Sequence, residues 1–520
     1  MRWRGDTKKY NAVIIGASIG GLVAAAYLAR AKARVVLFEA GEQFGGAART
    51  HAFAPSFRGP LHVHTAFALD GRAVRELRLA AHGLDFAQTD MKLIGLGPAG
   101  KHVAFPDGSL RARAALAASW GSDGLAYGAF HDEATRLARL LRPLWDGTLA
   151  DPAAPNTAEA MAVVIRRLRA EDSDAERIEE LSRISATAFL DRWFDDGALK
   201  AALAFDVFPS GLSPHEPGSA LPLIWRYAQD GSSLPGACQI RGGPSALTAA
   251  LVAAAREAGA ELHAGKSVGS IVVEKRRTAG VILTDGEMIS ADCVLSSLDA
   301  RDTLLGLVPA SSGSFGLRMR IPPPKRLTCA QVLVALSAPP PFAGLAPHEL
   351  GARFVAMERG EIADEAKGVA LTGGFPGHIA LEATVPTIAD SALAPSGQHV
   401  LSALVPYLPA QPNAGWARVE KMLRRRVLET LEDFAPGLRD RVIACAVITP
   451  ENGAGCRQAV SLFASPGARL SASYEARIRT PITGLYLCGR AAEPVDAISG
   501  RAGRVAAGLV FMGSRQGASA

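Results

Sequence analysis

The chain has few cysteines, no long apolar run and no lopsided charge, and each lack removes a class of protein. The six cysteines, Cys238, Cys293, Cys329, Cys445, Cys456 and Cys488, form no C-x-x-C pair and no metal-ligand spacing. That excludes a disulfide scaffold and fits reduced thiols in a cytoplasm. No segment reaches the ~20 apolar residues that a membrane span requires. The net charge of +6 comes from 56 basic and 50 acidic residues spread along the whole chain, which speaks against a nucleic-acid partner. Two basic runs stand out. Lys275-Arg276-Arg277 reads as a hairpin tip and Arg424-Arg425-Arg426 lies in a helical pattern; both read as solvated faces, with a weak attraction to anionic lipid headgroups left open. No internal repeat is present. At 520 residues the chain exceeds the size at which single cores stop growing, so two interleaved domains are expected.

What is present begins at once. Asn11-Ala-Val-Ile-Ile15 is short, apolar and β-branched, Gly16-Ala-Ser18-Ile-Gly20-Gly21 follows, and Leu22 to Ala29 are helix formers. The pattern is strand, turn, helix. A second strand, Arg34 to Phe38, ends on Glu39, about 20 residues past the turn, where an acid meets a ribose hydroxyl. Gly16 permits the tight turn, the small Ser18 lets backbone approach a pyrophosphate, and Gly21 lets helix and strand pack closely. Gly20 completes the fingerprint, and the helix N-terminus offers N–H donors to phosphate. Arg2, Arg4, Lys8 and Lys9 give the outline of a secretory signal, but cleavage there would remove the fingerprint, so that reading is rejected. Gly95-Leu-Gly97-Pro-Ala-Gly100 matches the same expression, yet Pro98 and the alternation after it predict a hairpin.

Gly45-Gly46-Ala-Ala-Arg49-Thr50, placed after the Glu39-Ala40 pair, resembles the flavoprotein superfamily of amine oxidases, phytoene desaturases and Rab GDP-dissociation inhibitors. The resemblance implies FAD, with Gly45, Gly46, Arg49 and Thr50 along its diphosphate and flavin. It extends through Arg241-Gly242-Gly243 and its helix to Val268, implied at the adenine, and through Ser391 to Val400, a phrase similar to the phytoene desaturase-like branch. It closes at Gly489 and at Ser499-Gly500-Arg501, where a helix starting near Gly500 would aim its positive end at the isoalloxazine oxygen. The implied fold is α/β: a Rossmann-type FAD-binding domain from 1–80, 235–310 and 475–520, and a mixed sheet-and-helix substrate domain from 81–234 and 311–474. Helices between Ala126 and Trp193 would cap it.

Candidate catalytic residues are harder to read. The branch usually carries a histidine- and glycine-rich stretch where this chain has Glu451-Asn-Gly-Ala-Gly-Cys456-Arg457-Gln458. Leu61-His62-Val63-His64 has a period of two that puts both histidines on one face of a strand. A metal pair, an acid–base group and satisfied structural groups are open readings there; no third ligand stands out for a metal. His64, Arg457 and Asp496 are the catalytic candidates. The expected reaction is hydride removal from an apolar, isoprenoid- or carotenoid-like molecule, dehydrogenated or isomerised at a membrane surface, with a quinone or oxygen as acceptor because no second dinucleotide fingerprint exists. An amine oxidase of the same fold, or a flavin-free lipid binder, are the alternatives.

Overall fold

Short runs of Val, Ile and Leu buried on both faces favour parallel pairing, because such strands have no side to show to water. The computed structural model describes residues 9–62, 64–105, 110–146, 172–229, 236–310, 321–452, 459–463 and 465–517. In it Lys9–Ile15 is central to a seven-stranded sheet, with Met288–Ser296 on one side and Val35–Phe38, then Glu261–His263, on the other, all parallel. Leu485–Leu487 also pairs parallel with Met288–Ser296, and the hairpin Val268–Glu274 and Arg277–Leu283 completes the sheet. Lys275 and Arg276 turn that hairpin with positive φ.

Helices cover the sheet. Ile19–Arg30 is buried along nearly its full length, as its Ala- and Leu-rich composition allows. It shares a core with Pro244–Glu257 and with Arg501–Gly517. A second sheet of seven strands is mostly antiparallel, runs from Val442–Ile448 to Val103–Ala104, and has Leu327–Leu336 and His399–Pro409 near its centre. Here Gly95 to Gly100 form the expected hairpin, with Leu93–Gly95 antiparallel to Val103–Ala104. Leu110–Trp145, kinked at Trp120 and Gly121, and the shorter helices Ala186–Leu190, Gly197–Ala204 and Ala220–Gln229 pack around Phe130, Trp145 and Phe189. This is the α/β arrangement with an added sheet-and-helix region that the sequence implies. Among the described residues no helix is long and apolar enough to cross a membrane. The five described cysteines are free thiols.

Candidate active site

The fingerprint turn is built as its glycines require. Ser18 caps the helix Ile19–Arg30, its Oγ accepting from Gly21 N at 3.5 Å. Glu39, at the end of the neighbouring strand, accepts from Ala17 N at 2.7 Å and Gly41 N at 2.9 Å, which fixes its carboxylate beside the turn with lone pairs to spare for hydroxyl groups. Gly45 N donates to Ala17 O at 2.8 Å, so the second glycine loop lies against the first. Gly45 has φ +110°, and a Cβ there would fall 2.5 Å from Thr248 Oγ1, so only glycine fits. Gly20 meets the closing strand so closely that a Cβ would lie 1.9 Å from Cys488 O.

The result is a cleft of about 380 Å³ lined by Ser18, Gly20, Gly45, Ser297, Gly489 and Gly500, among others. Its walls are largely backbone of small residues, and the N-termini of Ile19–Arg30 and Arg501–Gly517 both open on it. Such a cradle fits a diphosphate. Gly46 lies opposite Ser18, and Arg49 turns its Nε to Gly46 O at 2.9 Å. Thr50 serves the loop rather than the cleft: its N donates to Ser245 Oγ at 2.7 Å and its Oγ1 to Gly242 O at 2.9 Å. Ala40 is exposed between Glu39 and Gly41. The backbone just before Val268 is tied to this corner by Lys266 N, which donates to Glu39 O at 2.9 Å, while the Val268 side chain joins the buried cluster of Phe38.

Two expectations are corrected. Arg501 does not reach the cleft with its side chain. Its Nη1 donates to Trp145 O at 3.1 Å, and Arg504 Nη2 donates to Asp146 O at 3.1 Å, so both arginines satisfy carbonyls left open where the long cap helix ends. The positive end of the closing helix is not bare either. Glu493, buried and also lining the cleft, accepts from Ala502 N at 2.9 Å and from the Tyr474 hydroxyl at 2.6 Å.

Beside the cleft, and sharing Ala47, Arg490, Ala497 and Ile498 with it, lies a cavity of about 980 Å³ counted out to its mouth. Phe67, Phe205, Phe208 and Leu404 make an apolar wall. The other wall is charged. Arg353, buried, bonds Glu382 Oε2 through Nε at 3.0 Å and Asp206 Oδ1 through Nη2 at 2.6 Å, and Arg226 stands 3.5 Å from Asp206 Oδ2. Burial works against the Glu382 carboxylate, but Arg353 and His64 outweigh it and hold the group well below the usual carboxylate range.

His64 also lines this cavity, yet its two ring nitrogens are spent. Nε2 faces Glu382 Oε1 at 2.8 Å and Nδ1 faces Ser402 Oγ at 3.2 Å. Gln331 Nε2 donates to Ser402 Oγ at 2.7 Å, and the Glu382 carboxylate, an acceptor only, takes its bond from His64 Nε2. His64 is thus one link in a hydrogen-bonded chain that runs from Glu382 through Ser402 to Gln331. His62 has φ +60°, so the strand ends there and the period of two does not carry through to His64; both rings reach the cavity nonetheless. Burial, then Arg490 and Arg49, push the His62 imidazolium down to about 3. Asp496 is at the cavity edge, held by Arg490 Nη1 at 3.2 Å and Ala459 N at 3.0 Å. Arg457 lies outside the described residues. Sequence reading missed Arg353, Glu382, Asp206, Arg226, Arg490 and Glu493; of these, only Arg490 and Glu493 stand next to a readable motif.

The description "Flavin containing amine oxidoreductase" matches residues 19–309. Pyridine nucleotide-disulfide oxidoreductase domain-containing protein 2 of Rattus norvegicus is 28% identical over 551 residues, covering 97% of this chain and 93% of that one. The neurosporene-forming phytoene desaturase of Cereibacter sphaeroides is 29% identical over 223 residues, 40% of each chain. Wild-type putrescine oxidase bound to putrescine has the same fold, with a TM-score of 0.59 at 16% identity over 98% of this chain and 100% of that one. With a diphosphate cradle between two helix N-termini and a family match over more than half its length, the chain belongs to the flavin containing amine oxidoreductase family.

Proposed function

We propose that this protein is an FAD-dependent dehydrogenase: one carbon of an elongated, largely apolar molecule of isoprenoid or carotenoid kind would give up a hydride to the flavin and the neighbouring carbon a proton to solvent at the cavity mouth, so that a new double bond forms. The observation that carries the reading is the cavity with the apolar wall Phe67, Phe205, Phe208 and Leu404, which shares Ala47, Arg490, Ala497 and Ile498 with the nucleotide cleft. The similarity to a phytoene desaturase supports it. Glu39 would hold the ribose, the backbone at Ser18, Gly20 and Gly45 the diphosphate with Arg49 nearby, and Gly489 and Gly500 the flavin end. When bound, FAD supplies the hydride acceptor. The chain's part is to bind, orient and keep water out. In the charged wall Glu382, Asp206 and Asp496 are each paired with a guanidinium, so none is left over as a base or as a counter-ion for an ammonium group. That pairing argues against the amine oxidase alternative, and the cleft argues against a flavin-free lipid binder, which needs no such cradle. A quinone or oxygen would reoxidise the flavin, and the exposed Lys275 and Arg276 offer a weak lipid contact.

The test is anaerobic mixing of the FAD-loaded protein with phytoene and ζ-carotene in detergent micelles. Bleaching of the flavin with formation of a more unsaturated polyene is expected. Hydrogen peroxide from amines, with polyenes left unchanged, would contradict it.

A further inference from the structure

A second chamber abuts the first. It holds about 1360 Å³ counted to its mouth, and Asp206, Arg226 and Arg353 line both chambers where they meet. Phe105, Tyr127, Tyr227, Leu203 and Leu223 give it a buried apolar lining. Its charge is lopsided, unlike the inner cavity, where every carboxylate has its guanidinium. Among the described residues Lys92, Arg139, Arg142, Arg226 and Arg353 face it against Asp90 and Asp206, and Asp206 is already shared by Arg353 and Arg226. Arg139 and Arg142 are one helical turn apart on Leu110–Trp145 and so present their groups to the same side. Arg142 Nη2 donates to Ala228 O at 3.1 Å, whereas among the described residues Lys92 and Arg139, both exposed at the mouth, have no ion pair.

A molecule lying across both chambers would put its uncharged reacting part against the apolar wall by the cleft and its other end among these cations. We propose that the outer chamber binds an anionic head group, a carboxylate or phosphate, on an elongated apolar substrate. The inference rests on the dehydrogenase reading for the inner cavity and adds to it the polarity of the substrate's far end. The chemistry is general: a carboxylate or phosphate accepts charge-assisted bonds from guanidinium and ammonium groups, and an aromatic-lined mouth takes the adjoining chain out of water.

Calorimetric titration tests this without turnover. The probes are all-trans-retinoic acid against its methyl ester, and geranylgeranyl phosphate against geranylgeraniol. The acid or the phosphate should bind about tenfold more tightly than its neutral partner, the value of one or two charge-assisted bonds. The larger discrimination tells carboxylate from phosphate. In a Lys92→Ala/Arg139→Ala variant, which alters only exposed positions, the preference should fall toward unity, and in a charge-matched Arg418→Ala/Lys421→Ala control, also at exposed positions, it should persist. Equal affinities for charged and neutral probes, a preference that survives loss of Lys92 and Arg139, or no binding of either probe would each overturn the proposal. A preference for the anion in a protein that does not bleach its flavin with any polyene would leave the chamber assigned and the dehydrogenase reading refuted.

Discussion

Removing the Arg353 guanidinium would leave the buried Glu382 without its guanidinium partner and Asp206 with Arg226 alone. Breaking a buried pair in this way costs about 3–5 kcal/mol, far more than the pair itself contributes. Arg353→Ala should therefore lower unfolding stability by that amount in urea titrations; a loss of under about 1 kcal/mol would mean that the charges are solvated after all. His62 makes a separate prediction. Its folded form gives up its proton at about 3 instead of the ordinary 6.5, so the unfolded chain binds more protons than the folded one between those values. Stability is then full above about 6.5 and declines as pH falls through this window. A His62→Asn variant should flatten that part of the stability–pH curve, and an unchanged slope would contradict the burial argument. Of this wall only the two histidines could be singled out from the sequence. His64 and Glu382 are 318 residues apart, Arg353 and Asp206 147, and Glu382, Arg353 and Asp206 each alone look like an ordinary surface charge. Arg501 misled for the opposite reason: it sits in a motif that points at the cofactor, but the open carbonyl of Trp145 is the nearer and better partner.

Helix ends and strand ends carry most of the site, and these were the legible part. The strand, turn and helix of the first thirty residues, the acid at Glu39 and the glycine pair at 45 and 46 could be read because tight turns and close approaches restrict residue type locally. Gly20→Ala tests one such approach: with Cys488 O in the way, the variant should lose about 1–3 kcal/mol and most of its bound flavin, as measured by thermal melts and by flavin released on denaturation. Retention of both would show that helix and closing strand can separate cheaply. The carboxylate of Glu493 at the start of the closing helix was not foreseen, because an acid four residues past Gly489 has no local signature. A negative charge there opposes the build-up of electrons on a neighbouring flavin. Glu493→Gln should raise the reduction potential of the bound cofactor and tighten its sulfite adduct, both read from absorbance; a potential that falls or stays constant would place the carboxylate too far away to matter.

Taken as one molecule, the protein assembles its nucleotide cleft from three stretches of chain that are far apart in sequence. Lys9–Ile15 and Val35–Phe38, Glu261–His263 and Met288–Ser296, and Leu485–Leu487 all join one sheet, and the glycine motifs next to those strands meet where the parallel strands end. Brief turn chemistry is enough to forecast such a sheet, since each piece has its own strand and its own turn. The second sheet was forecast only as a mixed region, because its long apolar strands, such as Leu327–Leu336, pair by shape and register with partners that can lie more than a hundred residues away and carry no turn motif that names those partners. The cap was foreseen as helical but not as the source of Arg139 and Arg142 in a second chamber. The dehydrogenase reading depends on the cleft being a working cofactor site. The direct test is the visible absorbance spectrum of the purified protein, with the released cofactor identified after denaturation: one FAD per chain is predicted, and a protein that remains colourless even after reconstitution with FAD would contradict it.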